Sequence, residues 1–148
     1  MTITDILPAG TWSGLATDKV VLDYDGRHRR RIAISGVSGA EYLLDLAEAT
    51  HLRDGVGLRL PGGGIVEVVA KPEPLLEVTA VSPEALIRLA WHLGNRHLTA
   101  AISADRILIR PDHVIAHMLE HQGATVREVE AVFDPEGGAY NDGHDHGH

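Results

Sequence analysis

The chain has 148 residues, 44% hydrophobic and 23% charged, which is a globular composition and room for one ordinary domain or two small ones. It has no cysteine, excluding disulfides, thiolate-bound zinc and iron–sulfur clusters together, and no apolar run of the ~18 residues that a spanning helix needs. A net charge of −8 with ten histidines, behind an opening MTITDILPAG that lacks the basic flank and apolar stretch of a signal peptide, sets the expectation of a soluble, cytoplasmic, imidazole-rich protein.

Along the chain, Lys19–Val69 reads as short strands with turns between them. Strands at Lys19–Tyr24 and Arg29–Ile34 flank Asp25-Gly26, a strong hairpin pair. Leu43–Ala49 fits either a strand or a helical turn. Leu58-Arg59-Leu60, Pro61-Gly62-Gly63-Gly64 and Ile65–Val69 read as strand, turn and strand; no Lys-Ser/Thr follows the glycines, so a tight hairpin accounts for them better than a phosphate cradle. The prolines of Lys71-Pro72-Glu73-Pro74 mark an interdomain linker.

Beyond the linker, strands alternate with helices. A strand at Leu75–Ala80 leads to Ser82-Pro83-Glu84, which supplies an N-cap, a first-position proline and a first-turn acid in order. Leu86, Leu89, Ala90 and Leu93 form the apolar stripe of that helix, and Gly94 suits the left-handed residue after it. Strands at Ala100–Ile102 and Ile107–Arg110 turn at Asp105. A second helix runs from about Pro111 to Gln122, burying Val114, Ile115, Met118 and Leu119, and stops at Gly123. The last strand is Val126–Phe133. The order β-α-β-β-α-β is the ferredoxin-like split unit. Asp134–His148 has no hydrophobic periodicity and carries three histidines in its last five positions; it reads as a mobile, metal-binding tail.

Charge and imidazole are unevenly placed. Residues 1–70 hold seven Lys/Arg, nine Asp/Glu and two histidines, whereas residues 71–148 hold six, twelve and eight. This balance disfavours nucleic acid, whose affinity comes from neutralising phosphates, and suits a divalent cation, which takes imidazole nitrogen and carboxylate oxygen. The one basic cluster, Arg29-Arg30-Arg31, reads as a solvated strand edge that resists edge-to-edge pairing. No Gly-x-Ser-x-Gly elbow, Walker loop or His-Glu-x-x-His is present, so no enzyme is expected.

Three histidine groups stand out. His92 and His97 lie at and beyond the end of the first helix, where an imidazole also suits the negative end of the dipole. His113, His117 and His121 fall at i, i+4, i+8 on one side of the second helix, a spacing equally consistent with a solvated face. His144, His146 and His148 close the tail, which can capture metal quickly but must be ordered to hold it.

Trp91-His92-Leu93-Gly94-Asn95-Arg96-His97, then Asp105-Arg106-Ile107, Asp112-His113-Val114 with Met118-Leu119, Gly123-Ala124-Thr125-Val126, and Phe133-Asp134-Pro135-Glu136-Gly137-Gly138-Ala139-Tyr140 with the tail, form an ordered series. In it the chain resembles the UreE family of urease accessory proteins, which serve as nickel chaperones. The likeness is close over about residues 75–148 and general in the first 70. It implies an α+β protein in three parts: a small β-rich, peptide-binding-like domain (1–72), a ferredoxin-like metal-binding and dimerisation domain (73–134), and a flexible His-rich tail (135–148). It implies a homodimer, or a dimer of dimers, in which His97 and its symmetry mate share nickel, and His144 and His146 complete the site with His148 as an auxiliary. His113 corresponds to a peripheral ligand, but Pro111 stands where some family members have its partner, leaving His117, one turn on, as a replacement; the roles of His117 and His121 stay open. Zinc or copper would also enter an all-imidazole site. The partners implied are the urease accessory GTPase and the urease pre-activation complex, with no nucleic acid and no membrane. Two other readings stand beside this one: a metal buffer or sensor dominated by the tail, and a peptide-binding adaptor.

Overall fold

A computed structural model gives the structure, described for residues 1–135. These residues form two compact units, residues 1–71 and a second unit beginning at Pro72. No helix among the described residues is long and apolar enough to cross a membrane.

The first unit is built from strands alone. One sheet contains β1 (Thr2–Ile3), β4 (His28–Ser35) and β5 (Glu41–His51) in the order β1-β5-β4. The other contains β2 (Asp5–Leu7), β3 (Asp18–Leu22), β6 (Gly57–Arg59) and β7 (Ile65–Ala70) in the order β2-β6-β7-β3. Alternation along the strands sends Ile3, Ile34, Tyr42 and Leu44 of the first sheet and Val20, Leu58, Val66 and Val68 of the second into one buried cluster.

The hairpin expected around Asp25-Gly26 does not form. The chain does turn there, but Arg27 N–H donates to Asp23 O at 3.0 Å and Gly26 N–H donates to the Asp23 carboxylate at 2.8 Å, closing a helical-type turn. Its two strands therefore enter different sheets: β3 pairs parallel with β7, and β4 pairs antiparallel with β5. The Pro61–Gly64 hairpin is present, with Leu60 N–H donating to Gly64 O and with Gly63 and Gly64 at positive φ. The undecided stretch around Leu43 is strand β5.

Asp18 ties the loop after β4 to the edge of β3. Its carboxylate accepts from Ser38 Oγ at 2.5 Å, Tyr42 Oη at 2.7 Å, Lys19 N at 2.8 Å and Ser38 N at 3.2 Å. These donors, Ser38 first, hold its pKa down at about 2, and the same contact raises that of Tyr42. A Cβ on Gly36 would lie 2.0 Å from Asp18 Oδ2, so only glycine fits there.

The second unit runs β8 (Glu73–Thr79), α1 (Pro83–Asn95), β9 (Ala100–Ile102), β10 (Ile107–Ile109), α2 (His113–His121) and β11 (Thr125–Ala131). Its sheet has the order β11-β8-β10-β9, with all neighbours antiparallel. Leu76, Val78, Ile107 and Ile109 from the sheet pack with Leu86, Leu89 and Leu93 of α1 and Ile115 and Leu119 of α2. Each such side chain contributes roughly 1.5–3 kcal/mol by leaving water.

β8 starts earlier than the prolines suggest, so that Pro74 lies inside a strand. It pairs with Glu130 of β11, whereas β10 reaches only as far as Leu76. Proline is tolerated because nothing on the β10 side needs its missing N–H. Glu77 of β8 ties β11 to the turn just before β10: Oε2 accepts from Arg106 at 2.9 Å and Oε1 from Arg127 at 2.8 Å, which lowers its pKa.

Candidate metal centre

The candidate site is positioned by the end of α1. Ser82, extended at φ −151°, caps the start by accepting from Ala85 N–H at 3.1 Å, and Pro83 occupies the first turn. Leu86, Leu89 and Leu93 fix the helix on the sheet. The helix then runs through Gly94, which does not terminate it as expected. The left-handed residue is His97, at φ 59°. His97 N–H donates to Gly94 O at 3.0 Å and Leu98 N–H to Leu93 O at 3.1 Å, the two bonds of a Schellman cap, with Leu98 packed against the core behind it. The position that needs positive φ lies three residues beyond Gly94, because the buried Leu93 serves as the acceptor of the outer cap bond.

The result is an exposed imidazole on a fixed stalk, with backbone bonds on both sides and the negative end of a helix dipole behind it. That environment favours a cation. His97 also lines an open hollow of about 600 Å³ with Thr99, Arg110, Pro111 and Asp112. Asp112 is exposed and N-caps α2 through one oxygen, Oδ1 accepting from Val114 N at 3.0 Å and Ile115 N at 3.1 Å. α2 therefore starts at His113, two residues later than the proline suggests. That Asp112 and His97 line one hollow is not legible in the sequence, whose only signal there is an Asp three residues before a buried aliphatic.

His113, His117 and His121 are all exposed on α2, with the rings of His117 and His121 6.2 Å apart between centroids. None of the three lines the His97 hollow. Val114, expected in the core, is 65% exposed, while Ile115 and Leu119 are buried. His144, His146 and His148 lie outside the described residues. Among the described residues no group of three or more His, Asp or Glu side chains could hold a metal ion. The remaining histidines pack locally: His28 Nδ1 lies 3.2 Å from Tyr24 Oη, His51 Nε2 lies 3.3 Å from Arg27 Nη1, and the His92 ring meets Trp91 edge-on.

The fold and the site define the class: a sheet-rich α+β protein of two units, with exposed histidines on the second. The family model for the UreE urease accessory protein, N-terminal domain, matches residues 3–71, and that for its C-terminal domain matches residues 73–148. The chain is 54% identical to the urease accessory protein UreE of Bradyrhizobium sp. (strain ORS 278), over 97% of its own length and 69% of the relative's. It is 50% identical to that of Beijerinckia indica, over 97% and 85%, and 49% identical to that of Rhodobacter capsulatus, over 96% and 90%. The chain belongs to the UreE family of urease accessory proteins.

Proposed function

We propose that this protein is a cytoplasmic nickel metallochaperone for urease maturation, with His97 as the ligand around which its delivery site is assembled. The observation that carries this reading is the His97 stalk: an exposed imidazole in a left-handed cap conformation, in a family whose relatives are named urease accessory proteins. One imidazole is a poor ligand set, and a two-fold axis doubles it. Residues 73–134 are taken as the ferredoxin-like metal-binding and dimerisation domain. Their strand order, β11-β8-β10-β9 with a helix after the first and third strands in chain order, supports that assignment. Ile87 and Trp91, one turn apart on α1 and 70% and 64% exposed, are apolar surface suited to a second copy.

In this reading residues 1–72 form the peptide-binding-like domain, and the tail, residues 135–148, brings His144 and His146 to the shared ion with His148 as an auxiliary. His113 serves at most a peripheral ion, with His117 one turn away as its partner. Nickel is the cargo; zinc and copper would enter the same donors, and the urease accessory GTPase and pre-activation complex would direct the metal. The site works by ligand exchange, without a catalytic step.

Titration calorimetry and native mass spectrometry with nickel test the proposal. The parent should bind one ion per two chains at the central site, and His97→Gly should lose that ion while remaining folded. Unchanged stoichiometry and affinity in His97→Gly would overturn it. Removing residues 141–148 separates a carrier from a tail-dominated buffer: the carrier keeps the shared ion, and the buffer loses nearly all binding.

A further inference from the structure

Helix α2 carries His113, His117 and His121 at four-residue intervals, and all three are exposed. Each step is about 6 Å along the helix axis and about 40° around it. Side chains at that spacing are neighbours, so two imidazoles one turn apart can offer a nitrogen each to one ion without bending the helix. The central His117 thus has two candidate partners, and the structure separates them.

The rings of His117 and His121 face each other at 6.2 Å between centroids, tilted by 45°. Those of His113 and His117, at the same sequence spacing, make no ring contact. The backbone draws the same distinction. His113 is the first residue of α2, at the positive end of the dipole, where Asp112 Oδ1 is already taken by two helix N–H groups. His121 lies in the last turn, at the negative end, beside the exposed carboxylate of Glu120. A cation is disfavoured at the first position and favoured at the second. Neither His117 nor His121 lines the His97 hollow, so an ion held by this pair is separate from one held at the α1 cap.

We propose that His117 and His121 form a second metal site, a two-nitrogen chelate on the surface of α2 that takes one late first-row divalent cation per chain. Both rings are exposed and free to turn about their side-chain bonds, so each can bring a nitrogen to the roughly 2.0–2.1 Å that such an ion requires. Among the described residues no third His, Asp or Glu joins the pair, and water fills the remaining positions. With so few protein donors the ion exchanges readily. Its choice of metal follows the general order for imidazole, copper above nickel and zinc, and excludes magnesium, which prefers oxygen. The site goes beyond the peripheral role considered for His113, since it assigns the partner of His117 to the far end of the helix.

The test is a stepwise addition of copper chloride to the full chain labelled with nitrogen-15, read as paramagnetic broadening of each backbone amide resonance. Amides of Ala116–Gly123 should broaden in the parent and equally in His97→Gly, which lacks the ligand proposed for the shared ion. The affinity read at these amides should fall at least tenfold in His117→Ala and in His121→Ala, and change less than twofold in His113→Ala. Magnesium chloride should leave the same resonances where they are. Alanine at an exposed helix position favours the helix, so the variants keep α2, which circular dichroism checks. The proposal is overturned if His121→Ala, with an unchanged spectrum, binds copper at α2 like the parent, or if His113→Ala loses as much as His121→Ala. It is also overturned if the broadening at α2 is absent from His97→Gly, or if magnesium perturbs these amides as copper does. Loss of the shared ion in His97→Gly bears on the delivery site alone, so the two readings can fail separately.

Discussion

His97 occupies a backbone conformation that costs an L-residue roughly 1–2 kcal/mol, in a position that α2 fills with Gly123 at φ 90°. Both helices close with the same pair of bonds, Gly123 N–H donating to Glu120 O and Ala124 N–H to Leu119 O in the second. The difference between the two caps is therefore the side chain, and a fold that uses glycine at one end has an imidazole at the other. Glycine at position 97 relieves the torsional cost but loses about 0.5–1 kcal/mol to the flexibility of the unfolded chain. His97→Gly should thus match the parent in urea unfolding or exceed it by up to about 1 kcal/mol, although it removes the proposed ligand. A loss well above 1 kcal/mol would mean that the imidazole supports the fold. Asp18 makes the opposite kind of contribution. Its pKa is lowered from 3.8 to about 2, so its stabilisation is complete above pH 4 and disappears as pH falls towards 2. The raised pKa of Tyr42 means that the same hydrogen bond is also lost at high alkalinity, above the ordinary value of 10. Asp18→Asn should flatten the acid side of the melting-temperature profile between pH 4 and 2; a profile of unchanged slope would show that other carboxylates set it.

At the scale of elements, legibility in the sequence followed how local the deciding interaction is. Ser82-Pro83-Glu84 and the glycines at 62–64 act within a few residues, and the helix start and the hairpin are where the sequence puts them. The helix end is not where Gly94 suggests, because the acceptor of the outer cap bond is chosen by which leucine is buried, and that is settled against the sheet. The same holds for β3 and β4: Asp25-Gly26 marks a turn correctly, yet whether a turn makes a hairpin depends on partners more than forty residues away, as in the Asp18–Val66 pairing. β1 and β2 are two and three residues long and carry no periodicity to read. Val114 shows the limit of an apolar stripe: with Ile115 and Leu119 packed inward, a residue one position round the helix faces water. The prominence of His97 in the motif is legible, but its conformation and the hollow it lines with Asp112 are not, since both depend on how the end of α1 and the start of α2 are set on the sheet.

For the whole molecule the main division is between two separate buried clusters, one formed by residues from Ile3 to Val68 and the other by residues from Leu76 to Ala124. His97 is attached to the second through Leu93 and Leu98. A ligand that binds only the folded form stabilises it by about 2.7 kcal/mol at a hundred times its Kd, and that energy acts on whichever cooperative unit must open to release it. Opening the His97 cap requires breaking the bonds to Leu93 and Gly94 and freeing Leu98, but it does not require separating β3 from β7. Nickel at saturating concentration should therefore slow hydrogen exchange at amides of α1, β9 and β10 by up to about a hundredfold, and leave Val20, Val66 and Val68 near their metal-free rates. His97→Gly should abolish the slowing. Equal slowing in both units, or slowing that survives in His97→Gly, would place the dominant metal site elsewhere and refute a delivery site built on the α1 cap.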